Sequence, residues 1–443
     1  MELFASKMHC CGSNRATSPR AAKTARVVHR EGKIAKMIRK RVFAWTGTAL
    51  AGVILITACG TNQSGDEDSG DSCGTSKGTL VIGMIVPLSG GVSATGLGMR
   101  NAADLAIRQA NDKCAVPGYR LALQPEDDQS VPQVAAQAAT TLASDPNVAA
   151  VLGTANSSTA QTAAPILARE NIVEISPANT SPTLTLGPDA AAPKRQFPTY
   201  FRLATTDLLQ GPFGAQYLVQ KAGKKRIAVI DDGKTYGVGL TQTFVPEVQQ
   251  LGAEVVARER VGEHDTDFSG VIARIRPTNP DVVFYGGEYP VAGPLSKQLA
   301  DAGLAIPLMG GDAVNDKQYI ALGGRQGDLA TSIGAPARSV PSARSFLNQY
   351  AAAGYAEPES VYGALSYDSA NTVIAALAKV VSRGDFTSSR RQELIDAVQQ
   401  TNFDGATGHV SFDEFGDTTN KVLTVYAVQG GDFAPVETGT FDG

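Results

Sequence analysis

Two short polar loops carry the residues whose types and spacing could bind a small molecule. The first, residues 154–159, follows an apolar run at 148–153 and precedes a predicted helix at 160–169; the second, residues 176–181, follows the apolar run 172–175. Strand, polar loop and helix in this order place hydroxyl groups and free helix-start N–H groups at the carboxyl ends of parallel strands, where open α/β sheets bind ligands. A carboxylate suits such a site, although ordinary Ser/Thr helix capping would explain the same pattern.

Reactive groups are scarce in the rest of the sequence. The predicted globular region contains His264 and His409, without a second histidine or a thiol at metal-ligand spacing, which argues against a zinc site and a Ser-His-Asp site. The step from Gly96 to Gly98 is followed by Asn101 where a dinucleotide fingerprint has its third glycine. The sequence therefore predicts a binding protein that uses no cofactor and no metal, and not an enzyme.

Length and charge limit the possible partners. A chain of 443 residues with 43% apolar residues can form two domains with sizeable cores. The formal charge of −4, without a basic stretch interleaved with aromatic residues, argues against nucleic acid as a partner.

The first 60 residues have the pattern of a targeting region. A cationic cluster at 39–41 precedes an apolar run at 42–55 that is short for a membrane span. Residues 56–60 (Ile-Thr-Ala-Cys-Gly) match the bacterial lipobox, in which the cysteine, here Cys59, receives a diacylglycerol and becomes the mature N-terminus. An uncleaved signal anchor is the alternative.

Met37 stands directly before the cationic cluster and is the expected start of translation. Residues 1–36 are then a non-native leader extension, and residues 37–58 are the lipoprotein signal peptide. Residues 59–77 are rich in Gly, Ser and Asp, which predicts a flexible tether.

Of the five cysteines, two lie in the leader and Cys59 is assigned to the lipid. Cys73 and Cys114 remain in an exported body, where a pair can be oxidised. We expect a disulfide that pins the tether to the end of the first helix; two free thiols are the alternative.

From residue 78 onward predicted strands and helices alternate, and their order is repeated from residue 225. Residues 280–287 echo residues 146–153, and the sequence Gly237-Val238-Gly239 opens a helix as Gly96-Leu97-Gly98 does. Two similar lobes with loops at the carboxyl ends of their strands predict a cleft between them.

The end of the chain reads as three helices and a strand pair. The predicted helices cover residues 343–353, 362–382 and 390–401, and the predicted strands cover residues 409–412 and 422–428.

Several short phrases occur in the order and spacing typical of one family. They are residues 87–90, 127–128, 152–158, 175–180, 231–237, 285–287, 367–368 and 408–417. With them, residues 78–435 resemble the leucine/isoleucine/valine-binding solute receptors of ABC transporters, which have the type I periplasmic-binding fold. The resemblance implies an α/β fold of two similar doubly wound parallel-sheet lobes joined by a three-crossing hinge. The first lobe would comprise residues 78–204 plus 335–420, and the second 205–334 plus 421–443.

The resemblance also implies which residues hold an amino acid by its charged ends. Ser157 and Thr180 would supply hydroxyl groups to the carboxylate, with nearby backbone N–H groups. The carbonyl of Ala178 and the carboxylate of Asp312, where relatives often have Glu, would receive the ammonium group. Tyr236 would cover the ligand from the second lobe.

The side-chain pocket implied by the resemblance is more polar than leucine needs. Thr95 and Glu288 stand where the leucine receptor has tyrosines, Asn156 lies in the first polar loop, and Tyr367 matches a pocket tyrosine. Buried polar groups need partners, so a branched-chain and a more polar amino acid both remain open, as does a Glu288 that points to solvent.

These features together predict a monomeric lipoprotein, exported and anchored to the outer face of the cell membrane or to its periplasmic side. It would capture an amino acid by closing its lobes and deliver it to the permease and ATPase subunits of an ABC importer. A solute sensor of the same fold that feeds a signalling partner is one alternative, and a lipid-anchored hydrolase is another.

Overall fold

The computed structural model describes residues 73–442. The predicted leader extension (1–36), the signal peptide (37–58), Cys59 and the tether as far as residue 72 lie outside the described residues. Within residues 73–442, no helix combines the length and apolar character that a membrane crossing requires.

The first lobe is built on a five-stranded parallel sheet. Its elements are β1 (Thr79–Val86), α1 (Ser93–Asp112), β2 (Arg120–Asp127), α2 (Pro132–Ala143), β3 (Val148–Gly153), α3 (Ser157–Arg169), β4 (Val173–Ser176), α4 (Thr183–Leu186) and β5 (Tyr200–Arg202). The strand order is β2-β1-β3-β4-β5, and every pairing is parallel. The near-continuous apolar sequences of β1 and β3 suit strands covered on both faces, and β3 is buried throughout.

The second lobe repeats this plan. Its elements are α5 (Asp207–Gln216), which continues into a π-helical turn (Tyr217–Lys221), β6 (Arg226–Asp231), α6 (Thr235–Gln250), β7 (Glu254–Arg260), α7 (Ser269–Ile275), β8 (Val282–Gly286), α8 (Tyr289–Asp301), β9 (Leu308–Gly310), α9 (Lys317–Ala321) and β10 (Leu329–Ile333). Strands β6 to β10 pair in parallel.

The last hundred residues contribute to both lobes. Their elements are α10 (Ala343–Ala352), α11 (Gly363–Val381), α12 (Arg391–Gln399), β11 (Asn402–Gly405), β12 (Gly408–Ser411), β13 (Val422–Gln429) and β14 (Asp432–Thr440). Helix α11 packs on α1 of the first lobe. Strands β13 and β14 complete a seven-stranded sheet with the order β14-β13-β10-β9-β8-β6-β7.

The C-terminal strands differ from the prediction in their pairing. The predicted partners at 409–412 and 422–428 do not pair with each other: β12 forms a hairpin with β11, and β13 lies antiparallel between β10 and β14. The β13–β14 turn consists of Gly430 and Gly431, both with positive φ, the backbone that a two-residue hairpin prefers. Each of the two predicted strands therefore pairs across a tight turn with a neighbouring strand, and not with the other predicted strand. Because β13 is antiparallel to both β10 and β14, the second sheet is not wholly parallel.

The chain passes between the lobes three times. It leaves the first sheet after β5, returns to the first lobe after β10, where α11 packs on α1, and enters the second sheet again at β13. Helix α5 already belongs to the second lobe, because it packs on α6, β10 and β13.

Candidate functional site

A cavity lies between the lobes, at the carboxyl ends of both sheets. Its wall consists of Pro87, Val92, Thr95, Ala155, Asn156, Ser157, Ala178, Thr180, Tyr236, Glu288, Tyr289, Asp312, Ala313 and Tyr362. About 460 Å³ of its space is not occupied by protein atoms, including the part that is open to solvent.

The first polar loop reaches the cavity because β3 ends at a position that only glycine fills easily. Gly153 has φ +124°, and a Cβ built there would lie 2.2 Å from the carbonyl oxygen of Ile85. Helix α3 then begins at Ser157, whose hydroxyl oxygen accepts a hydrogen bond from the Ser181 amide (3.3 Å). The hydroxyl hydrogen of Ser157 and the amides of Ser157 and Ser158, at the start of α3, remain available to a ligand, whereas the Thr159 amide donates to the Asn156 carbonyl (3.2 Å).

The second polar loop is held rigidly against the first. The hydroxyl of Ser176 donates to the carbonyl of Thr154 (2.9 Å) and accepts from the Asn179 amide (2.9 Å). The fully buried guanidinium of Arg202 donates to the carbonyls of Asn179 (3.2 Å) and Ser181 (2.6 Å). The backbone between these anchors is therefore fixed where it borders the cavity.

Two groups of this loop remain without partners. No hydrogen bond reaches the carbonyl of Ala178 in the described part of the chain, and the Thr180 hydroxyl is buried without a partner. The Asp207 amide donates to the Thr180 carbonyl (2.9 Å), which brings the Asp207 carboxyl near this hydroxyl.

Both carboxyl oxygens of Asp207 are buried and lack a partner in hydrogen-bond geometry. Burial, followed by the charge of Asp312, raises the pKa of Asp207 to about 8, although the adjacent Thr180 hydroxyl acts to lower this pKa. This raised pKa reduces the negative charge on the carboxyl beside the Thr180 hydroxyl at neutral pH.

Asp312 directly follows Gly311 at the end of β9 and is 1% exposed. Its Oδ1 accepts hydrogen bonds from the Tyr236 hydroxyl (2.7 Å) and from Gln210 Nε2 (2.9 Å), and its Oδ2 accepts from the Tyr362 hydroxyl (2.7 Å). Burial raises the pKa of Asp312, and these three donors act against that rise. A carboxylate offers about four acceptor positions, so about one remains for a cationic group in the cavity.

Four of the six hydroxyl groups in the wall already donate to protein acceptors. They are those of Tyr236 and Tyr362 (to Asp312, both 2.7 Å), Tyr289 (to the Gly91 carbonyl, 2.9 Å) and Thr95 (to Asp316, 3.3 Å). The hydroxyl groups that remain for a ligand are those of Ser157 and Thr180.

A cluster of polar side chains, formed by Asn156 and Glu288 of the wall and by Lys234 behind them, connects the two lobes. Asn156 Nδ2 donates to Glu288 Oε1, while Lys234 Nζ lies 3.2 Å from Glu288 Oε2 and 2.6 Å from Glu263 Oε2. The Glu288 side chain is only 16% exposed, so it lies in the wall and does not point to solvent. Asn156 Oδ1 is buried without a partner.

The structure brings eight of the nine predicted ligand-binding residues into this wall. The exception is Tyr367, whose hydroxyl donates to Gln109 Oε1 (2.6 Å) and whose ring centroid lies 4.9 Å from that of Phe346. The tyrosine of this region that lines the cavity is Tyr362, which immediately precedes α11, whereas Tyr367 lies within the helix on the side that packs on neighbouring helices.

Sequence reasoning also missed Tyr289 and Lys234. Tyr289 directly follows Glu288, which the sequence already indicated as a pocket residue, so its position was a usable signal. Lys234 gives no such signal, because its partner Glu288 is 54 residues away in sequence.

Away from the cavity, Cys73 and Cys114 form a disulfide in the structure. The bond ties residue 73 to the end of α1. Among residues 73–442, no group of three or more His, Cys, Asp or Glu side chains is arranged to hold a metal ion.

The sequence of residues 79–432 matches the family described as periplasmic binding protein. The chain belongs to this family. Members of the periplasmic binding protein family are substrate-binding proteins and not enzymes, and they act outside the cytoplasm. The family match and the structural neighbours confirm the predicted type I periplasmic-binding fold.

Relatives of this periplasmic binding protein include receptors named for amino acids. The chain is 30% identical to Leu/Ile/Val-binding protein homolog 1 of Brucella suis, over 78% of this chain and 89% of the relative. It is 29% identical to the leucine-, isoleucine-, valine-, threonine-, and alanine-binding protein of Pseudomonas aeruginosa, over 79% and 89%. Its structure is similar to that of the branched-chain amino acid transporter substrate binding protein of Streptococcus pneumoniae in complex with isoleucine (TM-score 0.71, 25% identity, 81% and 100% covered).

Proposed function

We propose that this protein is the extracytoplasmic receptor of an ABC importer and that it captures a free amino acid between its lobes. The observation that carries this proposal is the set of unused hydrogen-bonding groups in the cavity wall. The hydroxyl groups of Ser157 and Thr180 can donate hydrogen bonds to a ligand, and the carbonyl of Ala178 and the carboxylate of Asp312 can accept them. The relatives named for amino acids support the same class of ligand.

The donating side suits a carboxylate. The hydroxyl groups of Ser157 and Thr180 are free, and the N-terminal amides of α3 add donors and a favourable helix dipole. The raised pKa of Asp207, about 8, reduces the negative charge beside Thr180 at neutral pH.

The accepting side suits an ammonium group. The free carbonyl of Ala178 and the remaining acceptor position of Asp312 both border the cavity. A ligand with an ammonium group and a carboxylate on one carbon matches both sides at once, because the two sides belong to a single small cavity.

Closure of the lobes would complete the site. The bonds from Tyr362 to Asp312, Asn156 to Glu288 and Thr95 to Asp316 join groups of different lobes beside the cavity. A ligand would enter when these bonds are open and would stabilise the closed form by contacting both lobes. We propose that the three crossings between residues 78–204 plus 335–420 and residues 205–334 plus 421–443 form the hinge.

Calorimetry of the purified protein against the common amino acids tests this function. An amino acid should bind, and its amide and its deamino analogue should each bind more weakly, because each lacks one charged end. Ser157→Ala should weaken binding of the amino acid about tenfold to a hundredfold, since a hydrogen bond to a charged group contributes about 1.5–3 kcal/mol. Failure of every free amino acid to bind would reject the proposal.

Attachment to the membrane is proposed through Cys59, the cysteine of the lipobox. Mass spectrometry of the mature protein should find a diacylglycerol on this residue at the N-terminus, and Cys59→Ala should accumulate uncleaved precursor. A mature N-terminus at another residue without acyl mass would contradict the anchor.

A further inference from the structure

We infer that the cavity selects amino acids whose side chain donates a hydrogen bond, and that it rejects those with an acidic side chain. This inference rests on the proposed function, because it concerns the side chain of the amino acid held in that site. We expect the protein to bind amino acids with amide, hydroxyl or cationic side chains, such as glutamine, asparagine, threonine and serine, more tightly than amino acids with aliphatic side chains.

The first argument is the direction of the hydrogen bonds in the polar wall. Outside the groups assigned to the ammonium and carboxylate ends and the tyrosine hydroxyls, which donate to protein acceptors, the polar side chains of the wall are Thr95, Asn156 and Glu288. Thr95 donates to Asp316, and one of the two N–H groups of Asn156 Nδ2 donates to Glu288. The buried group of these side chains that has no partner is an acceptor, Asn156 Oδ1, and a ligand must supply its hydrogen.

The second argument is an unpartnered acceptor in the wall. Asn156 Oδ1 is buried and has no hydrogen-bond partner. A valine or leucine side chain would leave this oxygen without a partner and without water, which disfavours binding. A hydroxyl or amide group of similar size would satisfy the oxygen, so the site can distinguish ligands of nearly identical shape.

The third argument is the charge around Glu288. Lys234 contacts both Glu288 and Glu263, so one cation is shared between two carboxylates. Asp128 and Asp232 are also buried near Glu288, which adds to the effect of burial in raising their pKa values to about 6 and about 7. Acidic groups outnumber cations here, and an additional ligand carboxylate would be repelled.

Matched pairs of ligands test the inference on the purified full-length protein. Calorimetry should compare threonine with valine, asparagine with leucine, and glutamine with glutamate. In each pair the two side chains have nearly the same shape, and the first one can donate a hydrogen bond that the second cannot. The first member should bind at least about tenfold more tightly, the ratio expected when one buried acceptor is left unpaired.

Two variants connect the preference to its residues. Asn156→Leu should bring the threonine/valine and asparagine/leucine ratios close to one by removing the unpaired oxygen. Glu288→Gln keeps the shape of the wall and removes one negative charge, so it should reduce the difference in affinity between glutamine and glutamate. Asp301→Asn, on the exposed side of α8 where the carboxylate pairs with Lys297, is the matched control and should change no ratio.

The outcomes separate this inference from the function on which it rests. If valine and leucine bind as tightly as threonine and asparagine, or more tightly, the side-chain preference is refuted while the amino acid receptor stands. If glutamate binds as well as glutamine, the exclusion of acidic side chains is refuted. If no amino acid binds at all, both the proposed function and this inference are overturned.

Discussion

Replacing Asp312 by asparagine should weaken ligand binding without weakening the fold. The substitution keeps the shape of the side chain and removes its charge. The amide oxygen can still accept the bonds from Tyr236 and Gln210, which both reach Oδ1 in the parent protein. The amide nitrogen would replace Oδ2, and the Tyr362 hydroxyl can rotate to accept its hydrogen. These three neutral groups keep a hydrogen-bond partner, whereas the ammonium group of the ligand loses its oppositely charged one.

The expected magnitude follows from this single lost interaction. A hydrogen bond to a charged group contributes about 1.5–3 kcal/mol, and about 1.4 kcal/mol corresponds to a factor of ten in affinity. Asp312→Asn should therefore weaken amino acid binding about tenfold to a hundredfold. Burial raises the pKa of Asp312, which means that burying its charge opposes folding. The free energy of unfolding of the ligand-free variant should thus equal or exceed that of the parent.

Calorimetry gives the affinity, and thermal unfolding without ligand gives the stability. Asp301→Asn is the control, because its carboxylate is 60% exposed and pairs with Lys297. An Asp312→Asn variant that binds like the parent would show that this carboxylate does not hold the ammonium group. A variant that loses stability together with affinity would show that Asp312 acts mainly in the fold.

Three further predictions concern the surroundings of the site. Burial raises the pKa of Asp207 from 3.8 to about 8, so between these values the folded state holds a proton that the unfolded state has released. The free energy of unfolding should fall across this range as pH rises, by up to about 1.4 kcal/mol per pH unit, and Asp207→Asn should flatten the slope in denaturant titrations; equal slopes would contradict this assignment. A Cβ at Gly311 would lie 2.0 Å from the Tyr236 hydroxyl oxygen, so Gly311→Ala should reduce the calorimetric affinity, whereas Gly439→Ala, with nothing within 4 Å of its Cβ, should not. Alkylation without reductant should label neither cysteine of the disulfide, and its reduction should lower the free energy of unfolding by about 2–4 kcal/mol; free labelling of both thiols would refute the bond.

Much of the fold was predictable because its signals are local. The continuous apolar runs that became β1, β3 and β8 and the period of 3.6 residues in α1 both depend only on residues close together in the sequence. The order strand, polar loop and helix also predicted that hydroxyl groups would collect at the carboxyl ends of the strands. The positions of Ser157 and Thr180 in the cavity wall agree with that expectation.

The role of each side chain within the site depended on the tertiary structure. Tyr362 lines the cavity and Tyr367 does not, because the packing of α11 decides which tyrosine reaches Asp312, 50 residues away from Tyr362. The ion pair of Lys234 with Glu288 likewise joins residues 54 positions apart. The sequence determined which residues stand at the ends of the strands, because short-range periodicity encodes strands and loops. Which hydrogen bonds of those residues are already used, and which remain for a ligand, was decided only when the two lobes packed together, because those partners are distant in sequence and adjacent in space.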